Sequence, residues 1–462
     1  MRSLLNVFAA LAVVAGARPP VQLAASPVAQ DTLPETAFWR QLCDSTLDRL
    51  MEEALRANQD LRAAEARVRG ARAARSGAAL DFVPTVTAGG GFVRQRLSPA
   101  LFPQGNASGS LPDQSIWDAG FDASWELDVF GRIRHSVKAA GELTNAARED
   151  VRGVQVSLLA ELARAYFDYR GGQEQLGVAQ RNAENQRRTL ELTRQRLEAG
   201  RGTAFDTERA QTQLSFTLAS IPALQSAVAA SQYRIAVLLG RAPGAAGSPV
   251  VDSTGAEGLP VLPVLTAAPS QEQVIAQRPD VAAATRRAAA QQALVGAAKA
   301  DYLPRFSVGG SAGFSSSTFE SFGGSGTFRY VVGPGISWPL FNLGRVKAAV
   351  NASQARAEEA ASQLAQARLL AREDLENALL RYRSALERVR RVEEAAAASR
   401  HAAELALLRF TDGVADFLQV LDAERTQLDA ESQLAQSRTA AAAAYAALYK
   451  ALGGVWSPNP AR

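Results

Sequence analysis

The constraint that dominates this chain is internal duplication. Asp60, Ala63, Ala64, Asp81 and Pro84 recur as Asp280, Ala283, Ala284, Asp301 and Pro304. From Trp125 onward the copies align without a further gap, 213 positions apart: Trp125, Gly131 and Arg132 fall on Trp338, Gly344 and Arg345. Arg196, Gly200 and Ala210 then fall on Arg409, Gly413 and Ala423, and Leu239-Gly240 on Leu452-Gly453. Solenoids repeat every ~20 to 50 residues, so copies this long mean tandem duplication of a whole structural unit.

Each copy reads as a helix, two strands and two further helices. Helical patterning runs from about Leu47 to Leu80, where Pro84 stops it, and again from about Gln271, with Pro304 as the stop. Long helices start after Gly131 and Gly344 and run to Gly200 and Gly413, where glycine suits the residue just past a helix C-terminus. At ~1.5 Å per residue each would reach roughly 100 Å. Leu375, Leu379, Tyr382, Leu386 and Val389 alternate spacings of four and three, the seam of a coiled coil, and Leu162, Tyr166, Tyr169 and Leu176 keep most of it in the first copy. Thr203 and Asp416 are placed to cap return helices ending at Gly240 and Gly453. Return and opening helices together match the long one in length, so they are expected to stack end to end beside it.

The expected organisation is a leader over 1–17, an irregular segment over 18–43 and a first repeat over 44–240, with strands at about 82–95 and 117–130. A connecting segment over 241–269 leads to a second repeat over 270–453, with strands at about 303–316 and 327–341, and a tail over 454–462. The leader rests on Arg2, the apolar run Leu4 to Ala15, and Ala15-Gly16-Ala17 as a cleavage site. That run is too short to span a bilayer, and no later stretch of ~18 consecutive apolar residues exists, so no spanning helix is expected. No cysteine follows the leader; Cys43, the single cysteine, excludes an internal disulfide.

The four strand segments alternate. Phe82, Val86, Ala88 and Phe92 share one face; Phe121, Ala123, Trp125, Leu127 and Val129 lie opposite Asp122, Ser124, Glu126 and Asp128. Phe306, Val308, Ala312 and Phe314 make a third apolar face, and Tyr330, Val332, Ile336, Trp338 and Leu340 a fourth. Eleven of the 18 phenylalanines and three of the five tryptophans fall within 82–130 and 302–341. Ten-residue strands with aromatic ends, after a secretion signal, fit an outer-membrane barrel better than a sheet over a soluble core. Four strands cannot close a barrel and an open edge in lipid is costly, so the chain must oligomerise; a trimer gives twelve strands and an appreciable lumen.

Fifty basic against 46 acidic side chains, interleaved along the helices, give no nucleic-acid footprint. His135 and His401 lack a second ligand at metal spacing and read as surface or packing residues. No serine, cysteine or carboxylate sits with a base and an orienting partner, so neither enzyme chemistry nor a cofactor is indicated. Asp122, Glu126 and Asp128 read either as tuners of ion selectivity from a lumen or as a solvated strand face.

The whole pattern resembles the outer-membrane factor family, the TolC-like and NodT-like channels of multidrug efflux. The resemblance rests on Trp39, on Ala54-Leu55 with Asn58, on Trp125-Glu126-Leu127-Asp128 with Gly131-Arg132, and on Leu340-Phe341 with Gly344-Arg345. Its strongest element is Arg409-Phe410-Thr411-Asp412-Gly413 through Val420-Leu421-Asp422-Ala423. It implies an α+β membrane protein: a homotrimer with a twelve-stranded barrel in outer-membrane lipid, continued by a periplasmic α-helical barrel. It also implies a periplasmic adaptor and an inner-membrane efflux pump as partners, with the turns at Gly200 and Gly413 forming a tip closed at rest. Asp422 matches the family's ring of aspartates at that constriction and Leu418 its apolar ring. Phe410, Ala415 and Gln419 depart from members with Tyr, Arg and a second Asp, which implies a reduced latch. Arg209 and Phe205 are the first-copy counterparts of Asp422 and Leu418, so the second copy is expected to line the gate. Rival readings are a duct for protein secretion or metal efflux, or a secreted coiled-coil structural protein.

Overall fold

A computed structural model describes residues 38–96, 113–244, 251, 258–263 and 271–454. The expected leader, most of the connecting segment and nearly all of the tail lie outside the described residues.

The opening helix of each repeat is not continuous, which corrects the single run expected from Leu47 to Leu80. It is α1 (Ser45–Ala57) followed by α2 (Gln59–Leu80). The break is Asn58, whose side chain accepts from the Leu61 amide at 3.0 Å and so caps α2. Its Nδ2 donates to Leu238 O at 2.9 Å, the last carbonyls of the helix that returns to this point. The second repeat breaks likewise, into α5 (Gln271–Gln277) and α6 (Pro279–Ala300) around Arg278. Pro279 disfavours a helical conformation in the residue before it. Arg278, buried, donates to Ala451 O at 3.0 Å and pairs with Asp280 at 2.7 Å and Asp374 at 3.2 Å.

The long helices are α3 (Arg132–Glu198) and α7 (Leu343–Thr411), 67 and 69 residues, and the return helices are α4 (Ala204–Leu238) and α8 (Phe417–Ala451). α1 and α4 meet tightly at Asn58: a Cβ on Gly240, whose φ is +70°, would stand 2.6 Å from Ala57 O. Only glycine satisfies both the left-handed backbone and that approach. In each repeat the opening and return helices therefore stack end to end along the long helix, as expected.

The rods form a row. α3 packs against α2 and α4 of its own repeat on one side and against α6 and α8 of the second repeat on the other; α7 packs against α6 and α8. The row ends at α2 and α4 on one flank and at α7 on the other. α4 is long and apolar enough to cross a membrane by length and composition alone, with neutral Ser, Thr and Gln diluting its apolar run, and it leaves the expectation of no spanning helix in place. Here it lies along α3, and Phe216 and Tyr233 are left exposed on the open flank.

The middle of the row carries the main core: Trp39, Leu47, Leu162, Tyr166, Tyr169, Leu375, Tyr382 and Tyr445 are buried together. The expected coiled-coil seam runs through it. Asp44 ties the N-terminal segment in, capping α1 through the Thr46 and Leu47 amides and accepting from Tyr166 Oη at 2.5 Å.

One antiparallel sheet stands beyond the rods in the order β1 (Thr85–Gln95), β2 (Gln114–Leu127), β3 (Arg305–Ser316), β4 (Phe328–Ser337). β2 pairs with β3 across the two repeats, so the sheet is one surface and not two hairpins. The register gathers the apolar residues expected to face one way: Ala88 sits beside Phe121, Phe121 beside Ala312, Ala312 beside Tyr330. Gly120 and Gly313 are register partners in which a Cβ would meet backbone at 2.7 and 2.4 Å. Two glycines there let β2 and β3 approach closely.

The strands end earlier on the helix side than the expected 82–95, 117–130 and 327–341. Trp125 and Trp338 explain this, since each turns its indole N–H onto a carbonyl of the chain entering the first strand of its repeat: Phe82 O at 2.9 Å and Tyr302 O at 3.0 Å. Asp128 leaves β2 to accept from the Ile133 and Arg134 amides at 2.9 and 3.0 Å, starting α3. Pro339 and the short turn Leu340–Asn342 end the pairing in the second repeat.

Candidate functional site

The helix-turn tips lie at the end of the rods opposite the sheet. α3 and α7 each close at a glycine of positive φ, Gly200 at +71° and Gly413 at +76°. The Gly200 amide donates to Leu197 O at 3.0 Å and Arg201 N to Arg196 O at 2.8 Å; Gly413 and Val414 do the same to Phe410 O and Arg409 O. This paired closure needs a left-handed residue, for which glycine carries no Cβ penalty. Thr203 then accepts from the Asp206 amide at 3.1 Å and Asp416 from the Leu418 amide at 3.0 Å, starting α4 and α8.

A small core ties the two tips together. Leu190, Ala210 and Leu214 of the first repeat pack with Phe410, Phe417 and Val420 of the second. Arg196 spans the two: its Nη2 donates to Phe410 O at 2.7 Å and Thr411 O at 3.1 Å, and its guanidinium lies 3.9 Å from the centre of the Phe410 ring. The phenylalanine that departs from the family's tyrosine is thus a buried seat for a cation.

Leu418 and Asp422 stand on the opposite face of α8. Phe417 and Val420 point into the tip core, whereas Leu418 keeps 41% of its surface and Asp422 is exposed. Four residues apart, they share one helix face. Their counterparts are also exposed, with Arg209 stacked 5.2 Å from the Phe205 ring. The structure thus presents all four on open faces and brings none of them to another within one chain except Arg209 to Phe205.

Behind the tips the seam between α3 and α8 turns polar. Asn182, Gln186, Thr189 and Thr193 are buried on α3. Thr189 Oγ1 donates to Glu424 at 2.6 Å, and Glu431 accepts from Arg400 and Gln427, each at 3.1 Å. Burial pushes the Glu424 carboxyl above its ordinary value, against a smaller opposing effect of the Thr189 hydroxyl.

The three carboxylates Asp122, Glu126 and Asp128 divide. Glu126 forms a two-point pair with Arg132 at 2.8 Å, and Asp128, just past the end of β2, holds the α3 N-terminus and Arg134. Both therefore fasten strand to helix, and of the three only Asp122 has no such task among the described residues. Farther up the same face Arg329 reaches across β3 to Asp118 at 2.7 Å. No local pattern pointed to this pair, since the residue 213 positions before Arg329 is Ile116. Arg196 did carry a signal, its recurrence as Arg409. His135 packs on Gly296, where a Cβ would meet its ring at 2.7 Å, and His401 is exposed beside Glu404 at 3.8 Å.

This architecture and these tips match known proteins. The family model for the outer membrane efflux protein fits residues 50–241 and 271–454. The chain belongs to the outer membrane efflux protein family. The pyoverdine export outer membrane protein OpmQ of Pseudomonas putida is 32% identical, with 94% of this chain and 92% of that relative covered. The toluene efflux pump outer membrane protein TtgF of Pseudomonas putida is 29% identical over 89% of this chain and 84% of its own length. The outer-membrane channel OprN superposes with a TM-score of 0.83 at 38% identity, covering 91% of this chain and 92% of OprN. This outer membrane efflux protein thus has the fold of an outer-membrane channel, a β-barrel element joined to a helical-barrel element, and resides in the outer membrane.

Proposed function

We propose that three copies of this chain close a twelve-stranded barrel over a helical barrel and act as the passive exit duct of a tripartite efflux system. A periplasmic adaptor and an inner-membrane pump would deliver small molecules to the tip. The observation that carries this is the coincidence of free edges. The outer edges of β1 and β4 have no partner among the described residues, and directly continuous with these two strands the row of rods ends at α2 and at α7. An unpaired strand edge in lipid costs several kcal/mol per group. β1 and β4 run in opposite senses, so β4 of one copy pairs antiparallel with β1 of the next and both layers close together. Two copies would give eight strands, which side chains fill, and three give a lumen.

Repeats 44–240 and 270–453 each supply two strands and one paired rod, giving six similar units around the pore. At the tip Leu418 and Asp422 form the closing rings, an apolar constriction and a cation-favouring ring of carboxylates. The duct itself does no chemistry; the pump supplies the drive. Relatives named for pyoverdine, toluene and antibiotic export are similarly distant from this chain, so cargo choice is placed in the pump and adaptor rather than in the duct. Purified protein in planar bilayers should conduct ions, and its detergent complex should have the mass of three chains. A monomer that needs no detergent and carries no current would sink the proposal.

A further inference from the structure

A basic pair stands where the aromatic face of the sheet ends, on the side away from the rods. Arg94 lies two residues beyond Phe92 on the same face of β1, and Arg96 follows just past the strand. Phe92 packs on Trp117 with ring centres 4.4 Å apart, and Trp117 on Phe319 at 5.0 Å. Toward the rods the same face closes with Trp125 and Phe306. Trp117 and Trp125 share β2, roughly 27 Å apart along the strand at ~3.3 Å per residue, and about 20 Å apart in height once the strands tilt as in a closed barrel. That approaches the apolar band of an outer-membrane barrel, so the arginines fall at the level of the lipid head groups. Both guanidiniums converge on Asp113, the residue before β2: Arg96 Nε at 2.6 Å and Arg94 Nη2 at 3.3 Å. The two arginine side chains keep 61% and 67% of their surface, so the cluster is open and one positive charge is left over. Residues 97–112 contain no charged side chain to offset it. The fold does not require the pair, since 220 positions on stand Phe314 and Ser316.

We propose that Arg94 and Arg96 form a site for the phosphate of an outer-leaflet glycolipid, one at each joint between copies. This rests on the reading of the chain as a trimer with its sheet in lipid and its rods on the periplasmic side. Guanidiniums take phosphate through paired hydrogen bonds, whereas an exposed pair with a single carboxylate is weak enough to yield. Asp113 holds the two forks side by side until the lipid arrives. Below the phosphate, the acyl chains lie along Phe92 and Trp117. β1 is the edge strand that meets β4 of the next copy, and β4 runs the opposite way, so Phe328 and Tyr330 at the start of that β4 flank the other side. Both rings are exposed in the single chain, at 58% and 71%. A lipid seated there touches two copies, so its site is complete only in the assembly.

The test titrates the purified protein in detergent with diphosphorylated lipid A and follows binding by native mass spectrometry. One lipid per copy is expected on the trimer. Arg94→Ala with Arg96→Ala should weaken binding at least tenfold, and Asp113→Asn should strengthen it at least threefold, because the competing carboxylate is gone. Arg329→Ala, on the opposite face of the sheet, should bind as the parent does; an equal loss there would reduce the effect to overall charge and overturn the site. Trimers that take dephosphorylated lipid A as well as the diphosphorylated form would also overturn it, leaving the assembly reading intact. Displacement of the lipid by millimolar inorganic phosphate would assign the arginines to the free anion instead, against the proposal. Absence of trimers by light scattering would overturn the assembly reading and the site with it.

Discussion

Asp422 stands on an open face of α8 with no side-chain partner among the described residues, so its effect should be electrostatic and almost free of folding cost. Asp422→Ala is expected to weaken block by multivalent cations at least tenfold, about 1.4 kcal/mol, in single-channel recordings, while the thermal midpoint stays put. Unchanged block would remove it from the gate. Glu424 behaves in the opposite way. Its folded value lies above the unfolded one, so the folded chain binds the proton more tightly, and stability is greatest at acid pH and lost as pH rises through the raised value. Glu424→Gln should therefore raise the melting midpoint at neutral pH and leave it unchanged near pH ~4, where the unfolded carboxyl is largely protonated. Equal effects at both pH values would show that burial of this charge is not what loosens the seam. Leu418 and Asp422 were singled out through the family motif, and the structure leaves both on an open face of α8. The polar seam was not, since Thr189 and Glu424 lie in different repeats and nothing in their local patterns links them.

Whole elements were legible where a local signal exists and lost where a distant contact decides. Pro84, Gly131, Gly200 and Gly240 marked ends that the structure keeps. The break at Asn58 was hidden because helical patterning continues through Ala54 to Leu61, and the cap on the Leu61 amide is reinforced by Leu238 O, far along the chain. Asn58→Ala should cost about 1–2 kcal/mol through the lost cap and the lost hydrogen bond, read as a lower midpoint in thermal melts. Gly240→Val should cost more, since it adds both strain at positive φ and a clash with Ala57 O. If Gly240→Val melts like the parent, the tight junction between α1 and α4 is wrong. The strand ends were misplaced for a related reason: Asp128 and Trp338 read as strand residues by alternation, but their polar atoms serve the adjoining helix and chain.

At the scale of the molecule, the single chain is an open piece of a closed object. Leu369, Leu380 and Leu408 on α7 and Phe216 on α4 are exposed on flanks that none of the described residues covers. Exposed apolar stretches of this kind mark contact surfaces. Phe216→Asp is expected to lower the trimer yield by light scattering while leaving the helix content by circular dichroism unchanged; full trimer yield would show that this flank is not an interface. The pairing of β2 with β3 has a consequence for how such a protein is made. Trp125 and Val308 are neighbours in the sheet, although the whole of α3 and α4 lies between them in the chain. The first repeat emerging alone therefore holds a β2 edge whose partner has not yet been synthesised. Until β3 follows, the β1–β2 hairpin carries two bare edges, the inner one to be covered by its own chain and the outer one only by another copy.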